Sequence, residues 1–251
     1  MLSRRRFAGL LAGTLAAPEL VWPQNPNSAR RTVLYSGVGA ELSCYAVDVR
    51  SAALVKRGSV KLPSNVQYAW PHPSREFLFV SSSNGGPGRA GDQHYVSAFR
   101  VDGDSGILRL HGEPVALRSR PIHNSVDRAG EYLLIAYNDP SGVSVHAINS
   151  NGAIGAEIPQ SKNLDCGIYA HQIRTTPSNR SALLVTRGND ATLSQPEDPG
   201  SIKVLSFEHG LLQNKAAVQP GTGLGFGPRH LDFHPIKPWV YVSISRPASL
   251  H

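Results

Sequence analysis

The fold is indicated by a short stretch that recurs along the chain and is clearest at 127–135, where it reads DRAGEYLLI. A polar turn is followed there by a run of apolar, β-prone residues. Similar stretches read PSREFLFV at 73–80, PSNRSALLV at 177–185 and PIKPWVYV at 235–242, and a degenerate copy reads TVLYS at 32–36. The copies lie about 50 residues apart, which is the spacing of an architecture that repeats one supersecondary unit.

Each of the three copies from 73–80 to 177–185 is followed by a second alternating run and a polar hairpin. The second runs read YVSAFRV at 95–101, VSVHAI at 143–148 and IKVLSF at 202–207. Alternation bounded by Gly, Asn and Asp is typical of strands joined by tight turns. Four strands in a unit of about 40 to 50 residues form one blade of a β-propeller.

We therefore predict an all-β protein, a propeller of four-stranded antiparallel blades. Blades are expected to begin near residues 32, 65, 120 and 169, with the first half of a fifth blade near 227. Two Gly- and Pro-rich segments without strand periodicity, 83–93 and 188–200, are predicted to be surface loops.

The composition agrees with this fold and narrows the range of partners. The 251 residues include 24 glycines and 19 prolines, and only 17% are charged. Three charges of the +7 net charge come from Arg4, Arg5 and Arg6, and the other basic residues are scattered. Because no basic run or aromatic-interleaved basic stripe is present, we predict no nucleic-acid partner.

The N-terminus has the features of an export signal. The sequence SRRRF at 3–7 is followed by a run of small apolar residues that ends at Ala17 and Pro18. That run of about ten residues is too short to span a bilayer, which takes ~20. The basic stretch SRRRF resembles the twin-arginine export tag. We predict a signal peptide at 1–17, a linker at 18–31, a periplasmic or otherwise exported location, and no membrane attachment after signal removal.

The stretch GPRHLDFHP at 227–235, with Tyr241 after it, resembles the start of a blade in the 6-phosphogluconolactonase-type lactonases. That family also includes carboxymuconate cyclases and is built as a seven-bladed propeller. The stretch YAHQIR at 169–174 is similar to the family's preceding histidine-containing blade start. The resemblance runs from about Thr32 to Tyr241 and implies hydrolysis of a sugar lactone. Whether that lactone carries a phosphate stays open.

The sequence departs from the family pattern after this blade start. Where the family has an acidic residue, this chain has Ser245, and the family continues for more than two further blades beyond the position of His251. We therefore expect the domain at 32–251 to be an incomplete propeller with about four and a half of seven blades. We expect impaired activity, and self-association through open blade edges.

Candidate site residues follow from propeller geometry and from the resemblance. The innermost strand of each blade lines the central channel, so residues at successive blade starts converge. By resemblance, His171 is the acid/base candidate, Arg229 the group that binds the substrate anion or oxyanion, and His230 a supporting donor. His123 and Arg187 are candidates for substrate binding, although satisfying buried backbone groups is the favoured role for both.

No metal site or other cofactor is predicted. Cys44 and Cys166 lie too far apart in sequence for a pairing to be assigned, and separate small buried side chains are favoured. Two functional hypotheses stand: a lactonase-like hydrolase, and a non-catalytic exported propeller that serves as a scaffold or binding domain.

Overall fold

The computed structural model describes residues 32–245, and every regular element in that range is a β-strand. The predicted signal peptide and linker lie outside the described residues. Between residues 32 and 245 there is no helix that could cross a membrane.

The strands form successive antiparallel sheets, one for each predicted blade. Blade 1 contains β1 (Thr32–Val38), β2 (Glu41–Asp48) and β3 (Ala53–Lys61). Blade 2 contains β4 (Val66–Pro71), β5 (Phe77–Ser83), β6 (His94–Val101), β7 (Leu108–Leu110) and a short β8 (Val115–Ala116) that also pairs with β6. Blade 3 contains β9 (Pro121–Val126), β10 (Tyr132–Asn138), β11 (Ser141–Ile148) and β12 (Ile154–Glu157). Blade 4 contains β13 (Ala170–Thr175), β14 (Ser181–Thr186), β15 (Ser201–Glu208) and β16 (Leu211–Val218), and a fifth sheet contains β17 (Pro228–Phe233) and β18 (Val240–Ile244).

The predicted all-β fold and blade starts are confirmed, since inner strands begin at Val66, Pro121, Ala170 and Pro228. Blade 1 differs from the prediction because it has three strands instead of four. Elsewhere, the turn between the second and third strands touches the start of the next inner strand: the Ala170 N–H donates to Ser141 Oγ at 2.9 Å. In blade 1 the Gly39 carbonyl, in the β1–β2 turn, likewise accepts from the Val66 N–H at 2.8 Å. β1 and β2 therefore take the places of second and third strands.

The second strand of each complete blade has a continuous apolar run because both of its faces are covered. Along β10, Leu133, Leu134 and Ile135 are all fully buried. Leu133 and Ile135 pack against Phe79 of blade 2, whereas Leu134 packs against Leu184 and its neighbours in blade 4. Burying one such side chain contributes roughly 1.5–3 kcal/mol. The core is therefore a series of apolar layers between blades.

The repeated polar turn follows each inner strand and links neighbouring blades at the end where those strands finish. Asp127 is almost completely buried and accepts hydrogen bonds from the Glu131 and Tyr132 backbone N–H groups and from Asn179 Nδ2 of blade 4. Asn179 Oδ1 in return accepts from the Arg128 N–H at 3.0 Å. These contacts fix the rotation of one blade against the next.

The opposite end of the blades, where the inner strands begin, is called the upper face. The turns between second and third strands lie at this end. The two predicted loops lie there, between β5 and β6 and between β14 and β15. Cys44 and Cys166 are both free thiols.

Candidate functional site

Strands β9, β13 and β17 begin at the upper face and bring four of the five predicted site residues together around the channel. The ring of His171 lies edge-on to the ring of His230, with centroids 4.8 Å apart. Arg229 Nε donates a hydrogen bond of 3.0 Å to His171 Nε2. The charges of His171 and His230 both act on His123. Side chains from three inner strands, up to 107 positions apart in sequence, are thus gathered by the repeat of those strands.

His171 is held as a neutral acceptor. It is 4% exposed, and burial, with smaller contributions from His230 and Arg229, lowers its pKa to about 3. Because Nε2 accepts from Arg229, the ring hydrogen is on Nδ1. At neutral pH this imidazole therefore orients the guanidinium and has little proton affinity.

Arg229 and His230 are exposed, unlike His171. The two Nη groups of Arg229 make no hydrogen bond to any residue between 32 and 245, so both remain as donors for a ligand. Partial burial and the adjacent Arg229 charge lower the pKa of His230, which favours its neutral form at pH 7. A free guanidinium fork and a neutral imidazole thus lie side by side.

His123 is completely buried among aromatic rings. Its ring centroid lies 4.2 Å from that of Tyr68 and 5.6 Å from that of Trp70. Neither ring nitrogen has a hydrogen-bond partner among residues 32–245, and burial holds its pKa well below the ordinary range. It is therefore a neutral side chain packed behind Tyr68 and Trp70, which line the channel cavity, and it neither caps backbone groups nor reaches the channel surface.

Arg187 lies at the rim, where its guanidinium is used in internal contacts. It donates to Ser245 Oγ at 3.2 Å, to the Gly188 carbonyl at 3.2 Å and to Asp190 Oδ2 at 2.6 Å. Its Cζ lies 5.5 Å from the ring centroid of Tyr169. The position where the family resemblance implies an acid, Ser245, therefore faces Arg187.

The structure adds channel residues that the sequence analysis did not identify. Arg174 pairs with Asp232 at 2.6 Å and lies 4.9 Å above the ring of Trp70. Together with Tyr68 and His230 they line a cavity of about 580 Å³. The signal available in sequence was the period of two along each inner strand, since residues 172 and 174 of β13 face residues 231 and 232 of β17. In the described part of the chain, no three His, Cys, Asp or Glu side chains are arranged to hold a metal ion.

Four-stranded blades around a channel lined by histidine and arginine place the chain in the class of β-propeller proteins. The family model described as "Lactonase, 7-bladed beta-propeller" matches residues 32–244. The chain therefore belongs to this lactonase family, as the sequence resemblance predicted.

Two curated relatives and one solved structure illustrate the match. The chain is 31% identical over 184 residues to a 6-phosphogluconolactonase of Xenorhabdus nematophila. The aligned region covers 73% of this chain and 49% of the relative. The chain is 28% identical over 182 residues to the 6-phosphogluconolactonase of Klebsiella pneumoniae subsp. pneumoniae, covering 72% and 48%. The chain thus spans about half the length of the curated relatives it matches. The periplasmic gluconolactonase of Pseudomonas aeruginosa superposes with a TM-score of 0.64 at 21% identity, over 87% of this chain and 69% of that one.

Proposed function

We propose that the protein hydrolyses a sugar lactone at the upper mouth of the channel. The observation that carries this proposal is the cluster of Arg229, His171 and His230 at the blade starts of a lactonase-family propeller. The names of the relatives support the same reaction class. Fold alone would not support it, because propellers serve many functions.

The chemistry needs a base for water and a donor for the oxyanion. Water adds to the lactone carbonyl carbon, the bond from that carbon to the ring oxygen breaks, and the ring oxygen takes up a proton to give a hydroxy acid. The free Nη groups of Arg229 would bind the carbonyl oxygen as it becomes an oxyanion. His230 would take the proton from water and return it to the ring oxygen.

This assignment differs from the resemblance, which gave the acid/base role to His171. With its Nε2 lone pair accepting from Arg229 and a pKa of about 3, His171 is a poor base at neutral pH. We assign it the role of a positioning residue that aims Arg229. His123 would support the substrate wall from behind Tyr68, and Arg187 would stabilise the rim through its contact with Tyr169.

The test is hydrolysis of glucono-1,5-lactone, with and without a 6-phosphate, by the purified chain, followed as acid release above the buffer background. We expect turnover that Arg229→Gln lowers by roughly 10²–10³, the usual cost of one lost oxyanion donor. Arg109→Gln on the outer strand β7 is the matched control and should leave the rate unchanged. A rate that Arg229→Gln does not lower would overturn the site. No turnover by the unsubstituted chain would favour the alternative, a non-catalytic scaffold or binding domain.

We also propose that the protein is exported to the periplasm. The SRRRF signal at 3–7 supports this location, and the P. aeruginosa neighbour is by name periplasmic. In a bacterium with a twin-arginine pathway, we expect the chain in the periplasmic fraction. The double variant Arg4→Lys/Arg5→Lys should stay in the cytoplasm, whereas Arg6→Lys should still be exported; export of the double variant would contradict the proposal.

Finally, we propose that the chain self-associates through its open sheet edges. Among residues 32–245, β1 and β18 each have one edge without a strand partner, and β1 exposes Leu34 and Val38. Unpaired edges favour intermolecular pairing. Light scattering on a size-exclusion column should give a mass above that of one chain, and a stable monomer at all concentrations would contradict this.

A further inference from the structure

A second cleft lies on the upper face, beside the channel mouth. It has a volume of about 590 Å³, and its walls come from the β5–β6 loop, the start of β9, the β10–β11 turn and the start of β13. Two guanidinium groups, those of Arg89 and Arg120, line it together with Asn138 and Tyr169. Tyr169 also belongs to the rim of the channel site, whereas the other three side chains have no role in the proposed hydrolysis.

The backbone around the cleft is shaped to hold Arg120. Its Nε donates to Gln67 Oε1 at 2.9 Å, which fixes the direction of the guanidinium. The side chain passes Gly85, where an added Cβ would lie 3.1 Å from Arg120 Cδ and 2.1 Å from the Ala90 carbonyl oxygen. A glycine is therefore needed for the loop to close over the arginine.

Arg89 enters from the same loop. One of its Nη groups donates to the Asn84 carbonyl. The other N–H groups of Arg89, and both Nη groups of Arg120, have no hydrogen-bond partner among residues 32–245. Several guanidinium donors thus remain for a ligand in the cleft.

The charge balance of the cleft is positive. Asp139 is the one carboxylate among the lining residues, against two guanidinium groups. His94 beneath the loop adds no charge at neutral pH, because burial and the nearby Arg120 lower its pKa. Such an arrangement favours an anion, and guanidinium groups bind carboxylate and phosphate oxygens with charge-assisted hydrogen bonds.

Asn138 and Tyr169 indicate what the anion would be attached to. Asn138 lines the cleft, and its buried side-chain oxygen has no hydrogen-bond partner in the described part of the chain, so a rotation of the amide would bring an acceptor to a ligand hydroxyl group. Tyr169 offers an aromatic wall. Its backbone is left-handed at φ 59°, which is uncommon for a residue with a side chain, and its ring stacks on His171 with centroids 6.2 Å apart.

We propose that this outer cleft (Arg89, Arg120, Asn138 and Tyr169) binds a small hydroxylated organic anion through its carboxylate or phosphate group, at a site separate from Arg229. Tyr169 is the common wall of the two sites. The inference does not depend on lactone hydrolysis, because it rests on the cleft's own donors and charge.

The test is calorimetric titration of the full chain, at low ionic strength, with D-gluconate and with inorganic phosphate as probes. We expect saturable binding that Arg120→Gln and Arg89→Gln each weaken by roughly tenfold, the effect of losing one charge-assisted contact. Arg109→Gln should bind the probe as the unsubstituted chain does. Arg89 is on an exposed loop, so its variant keeps the test valid if Arg120→Gln does not fold.

The outcomes separate the alternatives. Binding of gluconate alone assigns the carboxylate as the recognised group, and binding of phosphate alone assigns a phosphoryl group. Binding that is lost in Arg229→Gln and kept in both cleft variants would overturn the proposal by moving the anion to the channel. If neither gluconate nor phosphate binds, the proposal is overturned as well.

Discussion

The inner ring of the channel (His123, His171, Arg229 and His230) and the interfaces between blades are built from neighbouring strands. Both contain fully buried side chains, but of opposite chemistry. On β10, Leu134 and Ile135 are fully buried and packed against other apolar side chains. On the adjoining inner strands, His123 and His171 are 0% and 4% exposed and carry ring nitrogens without a partner among residues 32–245. Burying a polar group without a partner costs free energy, whereas burying an apolar one stabilises.

The difference indicates how the two regions divide the work. Burial of apolar side chains at the interfaces stabilises the packing of the blades. This stabilisation offsets the free-energy cost of keeping neutral imidazoles buried in the inner ring. The comparison predicts that substitutions at the interfaces lower stability at every pH, while substitutions in the ring change mainly its pH dependence.

The largest expected effect is at an interface. Phe79 is fully buried between blades 2 and 3, so Phe79→Ala should lower the free energy of unfolding by about 3–5 kcal/mol. The control is Val38→Ala, since Val38 is 77% exposed and its loss should cost less than about 0.5 kcal/mol. Urea unfolding at pH 7 measures both. Equal effects would show that the packing between these blades does not stabilise the fold.

The second effect is the acid sensitivity of the ring. In the folded chain the pKa of His171 is about 3, below the ordinary 6.5, so between these values the unfolded state binds more protons than the folded state. The stabilisation is therefore complete above about pH 6.5 and is lost as the pH falls toward 3. From pH 7 to pH 4 this one group should remove about 3 kcal/mol.

The variant His171→Gln isolates this contribution. A glutamine side-chain oxygen can still accept from Arg229, but it does not titrate in this range. Other groups that lose stability in acid, such as His146 and Asp165, are common to both proteins. Urea unfolding at several pH values should therefore give a shallower acid decline for the variant. Parallel declines would mean that His171 titrates normally in the folded chain.

The repeat predicted the interfaces better than it predicted the ring. Anchors such as Val80, Ile135 and Val185 are buried in second strands, because one repeating pattern requires one repeating environment. The convergence of His171 with Arg229 followed from the same reasoning. The partner of each ring side chain did not: Arg174 with Asp232, or Tyr68 with His123, depends on the relative height of strands in adjacent blades.

Two further features could not be read from sequence for physical reasons. The lowered pKa of His171 depends on burial and on charges from another blade, which composition does not report. The outer cleft depends on how a glycine-rich loop closes over Arg120, and in sequence that loop has no periodicity to interpret.

The smallest effect is expected at the rim, where Ser245 accepts a hydrogen bond from Arg187 Nε at 3.2 Å. A carboxylate at this position would face a guanidinium that is already paired with Asp190, so Ser245→Glu should stabilise by less than about 1 kcal/mol. Ser245→Gln has nearly the same shape without the charge, and the difference between the two variants in urea unfolding isolates the ion pair.

That difference should disappear at 1 M salt, where the screening length falls to about 3 Å. A difference that survives salt, or that destabilises, would mean that position 245 does not face Arg187. The same two variants also show whether a change at the rim alters activity, stability or both. If the added carboxylate raises the rate of lactone hydrolysis while leaving unfolding almost unchanged, then the rim affects chemistry through Arg187 and Tyr169 without adding to the stability that the interfaces provide.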